Sequence, residues 1–149
     1  FDKRKVERLM QFPGIVRNRL KIESAISNAK AVLKLQDEVG SLSKYLWSFV
    51  GGKPIVNKWT AMTQVPATSA ESDALSKDLK KRGFRFVGST IIYAHMQATG
   101  MVNDHTVGCF RRADCVKLAS GKAAQRRTRD ARGMLKGIDT SLPREPDRT

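Results

Sequence analysis

Residues 79–109 read LKKRGFRFVGSTIIYAHMQATGMVNDHTVGC, and two chemical devices fall within them. Just upstream, Leu75 and Leu79 share one face of a helix. T-S-A-E at residues 68–71 can open that helix as a capping box, hydroxyl and carboxylate each satisfying an orphan N–H. The helix closes on Lys80, Lys81 and Arg82, cations at the negative end of its dipole, and Gly83 stands where a left-handed C′ residue is wanted. Gly88 then precedes Ser89 and Thr90, which start a second helix with Ile92, Met96 and Thr99 as its apolar face. A helix start offers free N–H groups and a positive dipole end, and a glycine there removes the Cβ that would hold a phosphate away. The spacing predicts a helix-hairpin-helix suited to a backbone phosphate.

A glycine turn between two helices is common in any helical domain, and a basic last turn is ordinary dipole compensation. The charge of the whole chain tips the balance toward a polyanion. Its 149 residues hold 28 Lys and Arg against 14 Asp and Glu, a formal charge of +14. Eleven basic and five acidic side chains lie in residues 110–149, a net +6, so +8 remains on residues 1–109. Nucleic acid is the expected partner of such a field.

Length and composition allow one domain with a modest core. No apolar run approaches a membrane span, and FDKRKVERLM places charges where a signal sequence needs its apolar centre, so a soluble, cytoplasmic chain without membrane contact is expected. Cys109 and Cys115 are the only cysteines, too few and too close for a secreted disulfide framework, which leaves reduced thiols or metal ligation.

The fold class expected is all-α. Apolar spacings of three and four place helices over residues 3–11, 19–36, 41–50, 71–82 and 90–99. The second carries Ile22, Ile26, Ala29 and Leu33 on one stripe, and the third Leu42, Leu46 and Phe49 with Tyr45 and Trp47 adding aromatic bulk. Ile55, Val56, Trp59 and Met62 suggest a packed loop, and no alternating strand of convincing length appears. Residues 12–19 form a rival hairpin with Arg17 and Arg19, although Pro13 costs it a donor. Beyond Ala113 the pattern fades, which divides the chain into a helical domain over 1–112 and a basic, solvated, disordered tail over 113–149.

The second device is the pair His105 and Cys109. Four apart, they would face one way on a helix, close enough for an imidazole nitrogen and a thiolate to share one zinc ion. Two ligands do not complete a structural site, and neither His95 nor Cys115 joins them convincingly, so a buried Cys and His without metal is the competing explanation.

VERLMQFPGIVRNRLKI at 6–22, LWSFVGGKP at 46–54 and SDALSKDLKKRGFRFVGSTIIYAHMQATGMVNDHTVGC at 72–109 resemble the bacterial DNA-3-methyladenine glycosylase I family of the helix-hairpin-helix glycosylase superfamily. The resemblance implies hydrolysis of the N-glycosidic bond of 3-methyladenine in alkylated double-stranded DNA by a monomeric enzyme. DNA contact falls to Gly83, Phe86, Gly88, Ser89 and Thr90. It also implies a structural Zn2+ held by two Cys and two His, of which His105 and Cys109 match the C-terminal two. In related glycosylases an aspartate after the hairpin's second helix stabilises the sugar cation. Asn103 stands at that position with Asp104 beside it, which makes Asn103 a candidate catalytic residue, or else the N-cap of a helix before His105. The family's other two zinc ligands, its base-recognising carboxylate and its stacking aromatics lie in an N-terminal portion upstream of Phe1. The chain by itself is therefore expected to be inactive. A non-catalytic helix-hairpin-helix DNA-binding module, or an inactive fragment, is the alternative reading.

Overall fold

The computed structural model describes residues 1–120 of the 149. It is all-α, with six helices: α1 (Lys3–Gln11), α2 (Arg19–Val39), α3 (Leu42–Ser48), α4 (Ala70–Lys81), α5 (Ser89–Ala98) and α6 (Phe110–Ala119). Two short strands, β1 (Ile55–Val56) and β2 (Val102–Asn103), pair in parallel, with Ile55 opposite Val102 and Val56 opposite Asn103. Among the described residues no helix is long and apolar enough to cross a membrane.

The helices begin where short polar side chains can bond the orphan N–H groups. Asp2, Asn18 and Ser41 cap α1, α2 and α3 by accepting from Lys5, Lys21 and Lys44. The capping box of α4 lies one residue later than the sequence spacing suggests: Ser69 caps, and Ser72 rather than Glu71 bonds back to the Ser69 N–H at 2.8 Å. Ser72 is fully buried, so a short hydroxyl serves there where a glutamate would have to bury its carboxylate. Gly83 ends α4 in the left-handed region at φ +85°, as its position predicts.

α4 and α5 pack against each other across this turn and form the centre of the core. Leu75 and Leu79 meet Ile92, Tyr93 and Met96, with Leu35, Tyr45, Phe84, Met101 and Val102 completing the buried cluster. Each large side chain removed from water here contributes about 1.5–3 kcal/mol, and together they fix the angle at which the turn is presented. Tyr45 also ties three helices by polar contacts: its hydroxyl donates to Asp78 at 2.6 Å, Arg82 bonds Asp78 at 2.8 Å, and Arg82 reaches Glu38 on α2. Bonds from Tyr45 and then Arg82 hold the Asp78 carboxyl below its ordinary pKa.

Several boundaries and faces differ from the sequence reading. Leu33 is 62% exposed while Leu35 is buried, because α2 carries apolar residues on two adjacent stripes and the core takes Ala31, Val32, Leu35 and Val39. Thr99 is exposed, and Tyr93 takes its place on the buried face of α5. Part of the packed loop is β1, whose pairing extends through Ile55 N–H to the Met101 carbonyl at 2.9 Å and Asn57 N–H to the Asn103 carbonyl at 3.1 Å, whereas Met62 is exposed. Residues 113–119 are helical within α6 rather than the beginning of a tail. The remainder of the predicted tail, residues 121–149, lies outside the described residues.

Candidate nucleic-acid interface and metal pair

The turn between α4 and α5 is held by side chains from two helices. Asn28 of α2 accepts from the Arg85 N–H at 2.8 Å and donates to the Arg85 carbonyl at 3.0 Å. Ser76 of α4 donates to the Val87 carbonyl at 2.6 Å. Between them Phe86, a residue 52% exposed, adopts φ +58°, alone among the described non-glycine residues in having a positive φ, and its ring lies beneath the Lys21 ammonium at 5.3 Å.

α5 starts at this turn with no side-chain cap. Gly88 is the N-cap, and the first helical bond is Ile92 N–H to the Gly88 carbonyl, so the N–H groups of Ser89, Thr90 and Ile91 have no protein acceptor among the described residues. A Cβ built on Gly88 meets nothing within 4 Å, and its φ of −61° is ordinary, so neither the fold's packing nor its backbone demands glycine there. Of the predicted DNA-contact residues, Gly83, Phe86, Gly88, Ser89 and Thr90 all lie on this one turn and helix start. The Ser89 hydroxyl, however, donates to the carboxylate of Asp73 and lies 2.8 Å from the Ser72 hydroxyl. What Ser89 offers a ligand is its N–H. The rival hairpin at residues 12–19 is less open to an anion: Arg19 forks onto Glu7 with bonds of 2.8 and 2.9 Å.

At the other end of α5 the polar groups turn inward. Asp104 accepts four hydrogen bonds: from Asn57 Nδ2 at 2.7 Å and Trp59 Nε1 at 2.8 Å on one oxygen, and from the Tyr93 hydroxyl at 2.6 Å and Gln97 Nε2 at 2.7 Å on the other. Burial pushes the Asp104 pKa up, but the four donated bonds outweigh it and hold the carboxyl below its ordinary value. Burial, and then the bond to Asp104, push the Tyr93 phenol well above its own. This hub joins the 57–59 loop to α5 and was not visible in sequence, since its donors come from 45 and 47 residues upstream as well as from α5.

Asn103 is 6% exposed, and both ends of its amide are used inside the fold. Its oxygen accepts from the His105 N–H at 3.2 Å and its nitrogen donates to the Arg112 carbonyl at 3.3 Å. No helix follows it directly, so the N-cap expectation is replaced by a side-chain turn across residues 103–105.

His105 and Cys109 do come together, though not on a helix. They bracket a turn in which Cys109 N–H bonds the Thr106 carbonyl and Val107 N–H bonds the Trp59 carbonyl, and Cys109 is the N-cap of α6. Cys109 Sγ lies 3.5 Å from His105 Nδ1. In a tetrahedral zinc site with Zn–S about 2.3 Å and Zn–N about 2.05 Å, the two donors stand about 3.6 Å apart, so the pair fits one edge of such a site. Among the described residues no cluster of three or more His, Cys, Asp or Glu is placed to hold a metal. Both residues line a cleft of about 510 Å³ whose other walls include Val56, Met62, Gln97 and Cys115; Asp104 is the carboxylate on that lining, with all four of its bonds made internally.

The sequence and the fold both have counterparts among known proteins. The methyladenine glycosylase family model matches residues 1–112. The DNA-3-methyladenine glycosylase 1 of Escherichia coli K12 is 51% identical over 104 residues, 70% of this chain and 56% of the relative. The DNA-3-methyladenine glycosylase of Haemophilus influenzae is 43% identical over 117 residues, 73% of this chain and 63% of the relative. A crystal structure of a 3-methyladenine DNA glycosylase I superposes with a TM-score of 0.70 at 48% identity, over 74% of this chain and 60% of that one. The enzyme of that name from Staphylococcus aureus gives 0.72 at 34% identity, over 75% and 60%. The chain thus spans a little over half to under two thirds of the length of these relatives.

Proposed function

The chain belongs to the methyladenine glycosylase family, and on that premise we propose that its residues serve the hydrolytic excision of 3-methyladenine from alkylated double-stranded DNA. The observation that carries the reading is the bare start of α5 beside a glycine that no packing requires, in a chain of charge +14. Those N–H groups and the helix dipole would hold a phosphate of the backbone next to the lesion, and the surrounding lysines and arginines supply the salt-dependent part of the affinity. A base within the duplex is out of reach, so excision requires flipping it out of the stack, at a cost of a few kcal/mol that is lower for a damaged base. A firm grip on the backbone is what repays that cost. Methylation leaves the adenine positively charged and a good leaving group, so the reaction asks little of a protein acid.

His105 and Cys109 would supply two of the four donors of a structural zinc, a reading supported by their 3.5 Å separation. A bound zinc would tie the turn at residues 105–109 to the start of α6 and take no part in the hydrolysis. Asn103 is read as holding that turn, because its amide is already bonded at both ends.

Joining residues 1–112 in one chain to the portion of a relative that they do not match, and assaying release of 3-methyladenine from alkylated duplex DNA, tests the proposal. Excision with one zinc per chain is expected. Replacing His105 and Cys109 together by Ala should remove the zinc. A folded chimera that excises nothing would defeat the functional reading, and one that keeps full zinc after the double substitution would defeat the metal reading. A second reading, a DNA-binding module without chemistry of its own, is favoured by the commitment of Asp104 to four internal donors. DNA binding without excision in the chimera would select it.

A further inference from the structure

We propose that Asn28 is a positioning residue for the DNA contact, acting from α2 on a turn 57 residues away. The inference rests on the reading of the α4–α5 turn as the DNA-binding element and adds a residue to it. Asn28 bonds the N–H and the carbonyl of the same residue, Arg85, as a neighbouring strand would, and so fixes the backbone in two directions at once. The residue after it, Phe86, is held at φ +58°, a left-handed conformation that an L-residue with a Cβ leaves unless its neighbours prevent it. The next, Val87, is held by Ser76. Gly88 and the free N–H groups of α5 follow immediately, so the direction in which those groups point depends on this three-residue constraint.

α2 also sets the charge beside the turn. Lys21 lies two turns before Asn28 on the same helix, and its ammonium sits over the Phe86 ring at 5.3 Å. Release of the turn from Asn28 would misplace the amides while leaving every cation in the chain. That separates the role of Asn28 from that of a phosphate-binding lysine: affinity should fall with no change in the number of counterions displaced.

The test is a double-substitution cycle with Asn28→Ala and Gly88→Val, read by duplex DNA affinity at fixed salt, the slope of log affinity against log salt, and amide exchange of Arg85 in the DNA-free protein. Asn28→Ala is expected to speed Arg85 exchange at least about tenfold and to weaken DNA binding about five- to tenfold, with an unchanged salt slope. In the Gly88→Val background it should weaken binding no further, because both changes act through the same amides. Equal losses in the two backgrounds would overturn the proposal, as would unchanged affinity for Asn28→Ala where Gly88→Val weakens binding. Unchanged Arg85 exchange would overturn it independently of DNA. If Gly88→Val binds as tightly as the parent, the reading of the turn fails and this inference fails with it.

Discussion

At its N-terminus α5 leaves the N–H groups of Ser89, Thr90 and Ile91 without an acceptor among the described residues, whereas along its last two turns Tyr93 and Gln97 donate into Asp104. The same ten-residue helix therefore spends its polar groups in opposite ways. At the Asp104 end the Tyr93 and Gln97 donors are matched to a carboxylate within the protein, which is what a fold needs and a ligand cannot use. At the Gly88 end the matching is left undone, at a place where the surrounding side chains Asn28 and Ser76 bond the turn's own backbone instead of the helix start. Unmatched donors are tolerated beside water and become valuable beside an anion. The difference explains why an aspartate lying after this helix need not be a reacting group, and why a glycine with ordinary dihedrals can still matter.

The contrast is most strongly tested at Asp104. Replacement by Ala strands four donors, two of them on Tyr93 and Trp59, and is expected to cost about 3 kcal/mol of stability in urea unfolding. The pH dependence has a definite sign. The Asp104 pKa is lowered in the folded protein, so its contribution is fully present above the ordinary carboxylate value near about 4 and is lost as pH falls through the lowered value. Asp104→Asn should thus be less stable than the parent at pH 7 and show a flatter loss of stability below about pH 4. An Asp104→Ala protein as stable as the parent would mean that the hub is not what ties the 57–59 loop to α5.

A smaller effect sharpens the other end. Asp73 holds the Ser89 hydroxyl and places a negative charge next to the proposed phosphate position. Asp73→Asn keeps an acceptor for the hydroxyl and removes the charge, so DNA affinity at low salt should rise by about threefold, the effect of one unit charge some 6 Å away in high dielectric. Unchanged or weaker binding in a filter or fluorescence assay would place the phosphate elsewhere.

Much of this architecture was legible in the residue order, and the limits of legibility have physical causes. The five expected helices are present because apolar residues at spacings of three and four have no competing alternation, and the end of α4 at Gly83 followed from its need for a positive φ. Leu33 was misassigned because α2 is apolar on two stripes, and only the partner helices decide which one is buried. His105 and Cys109 meet, as their spacing suggested, but through a turn closed by the Cys109 N–H to the Thr106 carbonyl, before α6 begins. Asn28 acts on a residue 57 positions away, and Asp104 draws two of its four donors from 45 and 47 positions upstream, distances at which short-range pattern carries no information.

The central claim is that the bare start of α5 grips the DNA backbone, and Gly88 tests it most directly because the protein itself makes no use of the missing Cβ there. The measurement is the affinity of Gly88→Val for duplex DNA, compared with the parent at the same ionic strength and alongside the thermal midpoint of each. A side chain filling that space should keep the phosphate from the amides and weaken binding by about tenfold, with the charge of the protein unaltered and its midpoint shifted only slightly. Equal affinity for the two proteins, both folded, would contradict the account.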